Sequence, residues 1–205
     1  MTGPKEKKER ALGTTLQLKA ERSLSPKSAL ARRPFVPGQH GPTKRRKAPS
    51  DFGRQVQEKQ KVKLSYGIDE RNLRFIFKKA AKATGDISKY LTELLERRLD
   101  NVVFRAGLAA SRGVARKRII DGHIVVNGKR VRSPGYQVKL GDVVAIYQGS
   151  RERVMFKELA KNLEAHEGAY WLTLTPSKLE ATVASLPKDV ESPFHMPLIV
   201  ESFSK

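Results

Sequence analysis

The chain has 205 residues, of which 41 are lysine or arginine and 21 are aspartate or glutamate, so its formal net charge is +20. Because such a charge repels itself in a compact state, we expect a polyanionic partner: nucleic acid, an anionic membrane surface or an acidic protein. The absence of cysteine excludes disulfides and thiolate metal sites, and no apolar run approaches the roughly 18 residues of a membrane-spanning helix.

Residues 1–45 are predicted to form a basic N-terminal extension of irregular structure. Proline and glycine interrupt it, and residues 1–50 contain 13 basic but only 3 acidic side chains. Such a segment cannot bury enough apolar surface to offset its ordering entropy, so we expect RNA to order it. Its start has no apolar stretch behind the charges and therefore no secretory signal, which favours a cytoplasmic location.

Residues 46–98 are predicted to form the first part of a helical domain. Ser50 can cap a charged helix that Gly67 ends, and a second helix fits residues 69–83. A third helix should follow Asp86. Its apolar residues recur at the spacing of a core-facing helical stripe: Ile87, Tyr90, Leu91, Leu94 and Leu95.

Residues 99–150 are predicted to form a small module with one further helix over 109–121 and a β-hairpin. Asn127-Gly128 tolerates the positive φ values of a tight turn, and it lies between the apolar run 124–126 and the run 129–132. Residues 143–147 predict a third strand beside the hairpin.

Residues 151–205 are predicted to return to the helical domain. Residues 151–165 have a helical pattern, residues 171–175 alternate like a short strand, and Trp171 is expected in the core of the helical part. The apolar tail over 196–203 is expected to close onto the same helices.

The basic charge is unevenly distributed along the chain. Residues 101–150 contain 9 basic and 2 acidic side chains, whereas residues 151–205 contain 7 and 8. Arg112 and Arg116 are i, i+4 neighbours on one helix face, and a guanidinium can bind phosphate oxygens in pairs. Few aromatic residues lie nearby, so recognition of phosphates and of folded RNA shape is favoured over base stacking.

No pattern in the sequence predicts enzymatic chemistry. The chain has no nucleophile elbow, phosphate-cradling glycine loop or paired carboxylates, and its four histidines are scattered. We therefore expect no catalytic residue, no metal, no cofactor and no small-molecule substrate.

Four motifs lie in the predicted module: RRLDNVVFRAG at 97–107, VNG at 126–128, GYQV at 135–138 and GDVV at 141–144. Together they resemble the RNA-binding module of the bacterial small-subunit ribosomal protein family number four, a module that also occurs in tyrosyl-tRNA synthetases and pseudouridine synthases. Four motifs outside the module resemble signatures of the same family: PGQHG at 37–41, SDFG at 50–53, EKQKV at 58–62 and LIVESFSK at 198–205. Residues 1–34 resemble nothing closely enough to assign roles.

The resemblance implies an α+β fold: a helical domain interrupted by an inserted small α/β-hairpin RNA-binding module and preceded by the basic extension. It implies a structural constituent of the small ribosomal subunit that binds a junction in the 5′ domain of small-subunit rRNA and nucleates assembly. It also implies contact with mRNA where mRNA enters the subunit, neighbouring ribosomal proteins three and five, and an influence on decoding accuracy. Some family members hold zinc with four N-terminal cysteines, which this chain lacks.

The predicted RNA-binding residues come from the basic clusters and from the matched motifs. They are Lys44, Arg45, Arg46, Lys47, Arg54, Lys59, Lys61, Arg97, Arg98, Arg105, Ser111, Arg112, Arg116, Lys117, Arg118, His123, Asn127, Lys129, Arg130 and Arg132. The basic block 44–47 matches the stretch that the family places near incoming mRNA. Asp100 is expected to pair with a neighbouring arginine, and Asn101 to shape the helix turn.

Two other classes of protein could contain the same RNA-binding module. An RNA-modifying enzyme could use the same module, but it would need a separate catalytic domain. A free-standing RNA-binding stress factor should be shorter and should lack the 37–53 signature.

Overall fold

The computed structural model describes residues 4–23, 25–43, 48–188, 190 and 192–204. The chain divides into a first unit, residues 1–88 with 191–205, and a second unit, residues 89–190. The helices are α1 (Lys5–Leu12), α2 (Ala29–Arg32), α3 (Asp51–Tyr66), α4 (Glu70–Ala80), α5 (Ile87–Glu96), α6 (Leu99–Arg105), α7 (Arg112–Ile120), α8 (Val154–Lys157), α9 (Leu159–Glu164) and α10 (Met196–Ser204). The strands are β1 (Ile124–Val126), β2 (Lys129–Arg130), β3 (Val143–Ile146), β4 (Leu172–Thr175) and β5 (Glu180–Val183).

The helices of the first unit begin and end at the residues that the sequence indicates. The Ser50 side chain accepts a hydrogen bond from the Gly53 backbone N–H at 3.2 Å, and Gly67 ends α3 with φ 63°. Asp69 caps α4 in the same way, through the Asn72 N–H at 2.8 Å. These side chains satisfy backbone groups that a helix end leaves without partners.

The C-terminal helix α10 packs on α3 and α4 of the first unit. The rings of Phe77 and Phe203 stack with their centroids 5.0 Å apart. Just before α10, the backbone N–H of His195 donates to the Glu58 carboxylate at 3.1 Å. The tail therefore returns to the helical unit, as its apolar residues predict.

The N-terminal segment is more regular than predicted. The prediction of an irregular extension was wrong for α1, an eight-residue helix. The buried Glu9 carboxylate accepts hydrogen bonds from the backbone N–H groups of Leu16 and Leu18, at 2.9 and 3.2 Å. Arg10 donates to the carbonyls of Arg33 and Phe35, both at 3.1 Å. Polar contacts of these side chains thus order a segment that has few apolar residues to bury.

One antiparallel sheet lies in the second unit, with strand order β2-β1-β3-β5-β4. Val126 pairs with Lys129 across the hairpin turn, where Asn127 and Gly128 have φ values of 50° and 77°. Both values are in the left-handed region, as a type I′ turn requires. The Asn-Gly prediction is thereby confirmed.

The second unit also contains two strands beyond residue 150, where the sequence predicts a helical return. β4 was expected as a short strand, but β5 was not expected, and it pairs with both β3 and β4. Val144 lies opposite Ala181, a pairing between distant residues that leaves no local pattern in the sequence. Trp171 is buried in this unit and not in the helical one, which corrects the prediction for its side chain.

The core of the second unit lies between the sheet and α6, α7 and α9. Val102, Val103, Ile119, Ile124 and Ile146 are among its fully buried side chains. In the described part of the chain, no helix is long and apolar enough to cross a membrane.

Candidate nucleic-acid interface

The chain turns sharply between α5 and α6, and a later loop is hydrogen-bonded to this turn. Arg98 is extended, with φ −65° and ψ 137°, and it separates the two helices. The Leu99 N–H donates to the Tyr136 carbonyl at 2.9 Å, and the Val138 N–H donates to the Arg97 carbonyl at 3.0 Å. The GYQV motif therefore holds the turn in place through backbone hydrogen bonds.

Asp100 lies at the start of α6 and pairs with two arginines. Its carboxylate accepts from Arg98 Nε at 3.1 Å and from Arg98 Nη2 at 2.7 Å, and it also accepts from Arg116 Nη2 at 3.2 Å. Asp100 is 2% exposed and Arg98 is 6% exposed. The predicted pairing of Asp100 is confirmed, and the Arg98 guanidinium lies inside the unit.

A second buried carboxylate, Glu96, holds the next part of the turn. Its Oε2 accepts from Asn101 Nδ2 at 2.9 Å and from Arg105 Nε at 3.1 Å. Asn101 Nδ2 also donates to the Glu96 carbonyl at 3.0 Å, which confirms its predicted role in shaping the turn. Arg112 Nε donates to Asn101 Oδ1 at 2.8 Å, and the Arg112 guanidinium stacks 4.6 Å from the Phe104 ring centroid.

These contacts hold two arginine side chains of α7 against α6. Ser111 begins α7, where its buried side chain accepts from the Val114 N–H at 3.3 Å. Arg112 and Arg116 are both half-buried, and residues of α6 fix their side chains. An arginine already held in one rotamer loses less entropy when it binds a phosphate. We call the set Glu96, Asp100, Asn101, Arg112 and Arg116 the arginine network.

Arg118 points away from the other two α7 arginines, as its helical position predicts. Its guanidinium lies 4.8 Å from the Phe156 ring centroid and donates to the carbonyls of Leu108 and Met155. Burial lowers the pKa of Arg118 below its ordinary value. Its contacts therefore join α7 to α8.

His123 is buried at the start of the hairpin. Its Nδ1 lies 2.9 Å from Ser150 Oγ, and its ring meets the Phe156 ring edge-on at 5.6 Å. Burial lowers the pKa of His123, and the nearby Arg153 lowers it further. The imidazole is consequently neutral at neutral pH.

We expect the folded chain to lose stability when the pH falls through 6.5, the ordinary pKa of histidine. Because the His123 pKa is depressed in the folded state, the unfolded chain binds the proton first, so acid favours unfolding. The measurement is urea unfolding followed by Trp171 fluorescence between about pH 8 and pH 5.5. His123→Gln should reduce this loss, and an unchanged pH dependence in that variant would contradict the assignment.

The hairpin presents three exposed cations, Lys129, Arg130 and Arg132. Arg130 stacks 3.6 Å from the Tyr147 ring centroid. Arg132 lies against Gly122, where an added Cβ would meet its Nε at 3.2 Å. Lys117 of α7 is also exposed.

Asn127 has a structural position in the turn of the hairpin. Its Nδ2 donates to Asp142 at 2.8 Å, and its Oδ1 accepts from the Val143 N–H at 2.9 Å. The side chain thus ties the hairpin turn to the start of β3.

The predicted RNA-binding residues of the first unit are held differently. Lys59 pairs with Glu70 at 3.1 Å, Lys61 pairs with Glu58, and Arg54 pairs with the exposed Asp51. Burial raises the pKa of Glu70, but hydrogen bonds from Lys63 and Lys59 outweigh this effect and lower it. Residues 44–47 lie outside the described residues.

The sequence reasoning missed two buried carboxylates, Glu93 and Glu96. Glu93 pairs with Arg97 at 3.0 Å, and Arg97 Nε also donates to the Val138 carbonyl at 3.0 Å. An i, i+4 glutamate–arginine pair could have indicated the first contact. The Glu96–Arg105 contact joins two helices across the turn and has no such signal.

Among the residues that the structure describes, no three His, Asp or Glu side chains are grouped so that they could hold a metal ion. The cationic side chains instead contact carbonyl groups, carboxylates and aromatic rings. Such a surface can bind phosphate groups.

Comparison with known proteins gives two family matches that cover most of the chain. Residues 1–96 match the ribosomal protein S4/S9 N-terminal domain, and residues 97–144 match the S4 domain. The first match includes residues 1–34, whose sequence motifs alone indicate no role.

The chain is also similar to curated proteins over nearly its whole length. It is 44% identical to the small ribosomal subunit protein uS4 of Roseiflexus castenholzii and 42% identical to that of Chloroflexus aurantiacus, in both cases over 99% of this chain and 98% of the relative. It is 44% identical to uS4A of Alkaliphilus metalliredigens, over 94% of this chain and 93% of the relative.

Proposed function

Because the chain belongs to the uS4 family of bacterial small-subunit ribosomal proteins, we propose that it binds small-subunit rRNA and nucleates assembly of the subunit. Members of this family are structural and not enzymatic, so the alternative of an RNA-modifying enzyme is not supported. The target that we propose is a multi-helix junction in the 5′ domain of the rRNA, within the cytoplasmic ribosome.

The arginine network is the observation that carries the proposal. Asp100 and Asn101 each hold one α7 arginine, so Arg112 and Arg116 are oriented before any RNA arrives. Lys117 and the hairpin cations add exposed charge in the same unit. Arg98 and Arg105 are held by Asp100 and Glu96, and we infer that they mainly support the network.

Binding to small-subunit rRNA should weaken steeply as salt rises. Each phosphate that the protein neutralises releases counterion, with a slope of about −0.9 per contact on duplex targets. Filter binding of the full chain to the 5′ domain of the rRNA, at about 0.1 to 0.5 M KCl, measures this slope. A flat response would contradict the electrostatic account, and equal binding to unrelated folded RNA would contradict the specific target.

We further propose that the chain contacts mRNA where it enters the subunit, neighbours ribosomal proteins three and five, and influences decoding accuracy through the interface with protein five. Support comes from the basic block Lys44, Arg45, Arg46 and Lys47, which follows the PGQHG motif in sequence. These side chains supply four positive charges that could hold a phosphate backbone.

Replacing all four residues of the block 44–47 with glutamine should slow translation through a stable mRNA hairpin. The four lost charges would weaken the hold on the mRNA backbone. The measurement compares elongation on a hairpin message and on an unstructured message. Subunit assembly should remain normal, and a failure of assembly would indicate that the block anchors rRNA instead.

A further inference from the structure

The exposed face of α4 is a cationic surface that contains none of the predicted RNA-binding residues. Arg71, Arg74, Lys78 and Lys79 are all exposed on this 11-residue helix, and Lys82 follows it. The opposite face is buried through Leu73, Ile76 and Ala80. We call the exposed set, together with Phe75, the α4 face.

Phe75 lies in the middle of this charge with 62% of its surface exposed. Arg71, Lys78 and Lys79 lie four residues before it, three after it and four after it, so each is a neighbour on the helix surface. Lys79 Nζ is 5.9 Å from the centroid of the Phe75 ring. The face therefore presents one flat apolar ring surrounded by cations.

The acidic side chains of this region do not neutralise the α4 face. Glu70, the one acidic residue of α4, is held by Lys59 and Lys63 of α3, at 3.1 and 2.9 Å. Within the described part of the chain, no carboxylate lies within 4.0 Å of a charged nitrogen of Arg74, Lys78 or Lys82. Like charges one turn apart destabilise an isolated helix, and an exposed aromatic ring contributes no burial free energy to folding. The α4 face therefore does not stabilise the fold.

We propose that the α4 face is a second RNA-binding site, in which Phe75 stacks on an unpaired base while Arg74 and Lys78 bind the flanking phosphates. Stacking on an aromatic ring inside a basic groove is how proteins hold single-stranded nucleotides. A membrane surface fits less well, because the apolar side of α4 is already buried in the protein's own core. This inference rests on the proposed rRNA-binding function and adds a base contact to it.

The first test compares single substitutions in the full chain bound to small-subunit rRNA. Phe75→Ala should weaken binding by about tenfold, within the range known for loss of one stacked base. Phe75→Trp should preserve the affinity, and the fluorescence of the introduced tryptophan should be quenched when RNA binds. Trp171 is buried, so its own fluorescence should change little. Phe52→Ala is the matched control, because Phe52 is 73% exposed on α3 and lies beside Asp51; it should leave affinity unchanged.

The second test concerns the charges and the identity of the partner. Arg74→Gln with Lys78→Gln should reduce the magnitude of the salt slope by about 1.4, at roughly 0.7 per contact on single strands. In small subunits containing the chain, ultraviolet crosslinking should join Phe75 to a nucleotide. The inference would be overturned if Phe75→Ala bound rRNA with wild-type affinity and the variant Arg74→Gln with Lys78→Gln kept the wild-type salt slope. A crosslink from Phe75 to an acidic protein would also overturn it. If Arg112→Ala still weakens binding in that case, the proposed rRNA function stands and only the α4 face fails.

Discussion

Replacing Asp100 with alanine should destabilise the second unit by about 3–5 kcal/mol. The reason is that Asp100 and Arg98 are both buried, so removing the carboxylate leaves an uncompensated guanidinium in the interior. Trp171 lies in the core of the same unit and is the one tryptophan of the chain, so its fluorescence during urea unfolding reports this unit. A loss below about 1 kcal/mol would contradict a buried ion pair, since exposed pairs contribute that little.

Two control variants separate the buried charge from other effects. Arg98→Met combined with Asp100→Leu should recover most of the lost stability, because no charge then remains buried without a partner. Glu180→Ala removes a partly exposed carboxylate of the same unit that also pairs with an arginine, Arg151 at 3.6 Å, and it should cost less than about 1 kcal/mol. If the two single losses were equal, burial would not be the cause.

Replacing Arg112 and Arg116 with alanine should weaken rRNA binding by about 1–3 kcal/mol each. Both guanidiniums are held by α6, so a phosphate contact would not require ordering of a mobile side chain. Because the two arginines belong to one network, the double variant need not equal the sum of the single losses. Electrophoretic mobility shift with the 5′ domain of the rRNA measures the affinity.

The matched control for this pair is Arg151→Ala, which removes the same charge from the second unit. Arg151 faces Glu180 at 3.6 Å and donates to the Ile146 carbonyl at 3.4 Å. Its loss should leave the rRNA affinity within about twofold of the wild type, because Glu180 already offsets its charge and Arg151 is not one of the predicted RNA-binding residues. Unchanged affinity in the Arg112 and Arg116 double variant would place the RNA on another surface.

Local signals predicted the elements that depend on local chemistry. Ser50 begins α3 because its side chain accepts a hydrogen bond from a backbone N–H of the first turn, and Gly67 ends α3 because glycine tolerates positive φ. Asn127-Gly128 makes the hairpin turn because both residues tolerate positive φ. The arginine pair of α7 was predictable from its spacing alone, since Arg112 and Arg116 are i, i+4 neighbours on one helix face.

Contacts between distant residues were not predictable in this way. β5 exists because it pairs with β3 across more than thirty residues of sequence, and Glu96 meets Arg105 only because α5 and α6 fold at Arg98. The order of the N-terminal segment depends on single polar side chains, Glu9 and Arg10, whose partners lie up to 25 residues away. Sequence pattern places such residues on helices but does not indicate what they contact.

Crosslink mapping in purified small subunits tests the central claim most directly. Subunits containing the chain would be irradiated, and the peptides joined to nucleotides would be identified by mass spectrometry. We predict that peptides containing Arg112, Arg116 and the hairpin cations of 129–132 crosslink to rRNA of the 5′ domain. Crosslinks confined to other parts of the chain, with none in residues 112–132, would contradict the account.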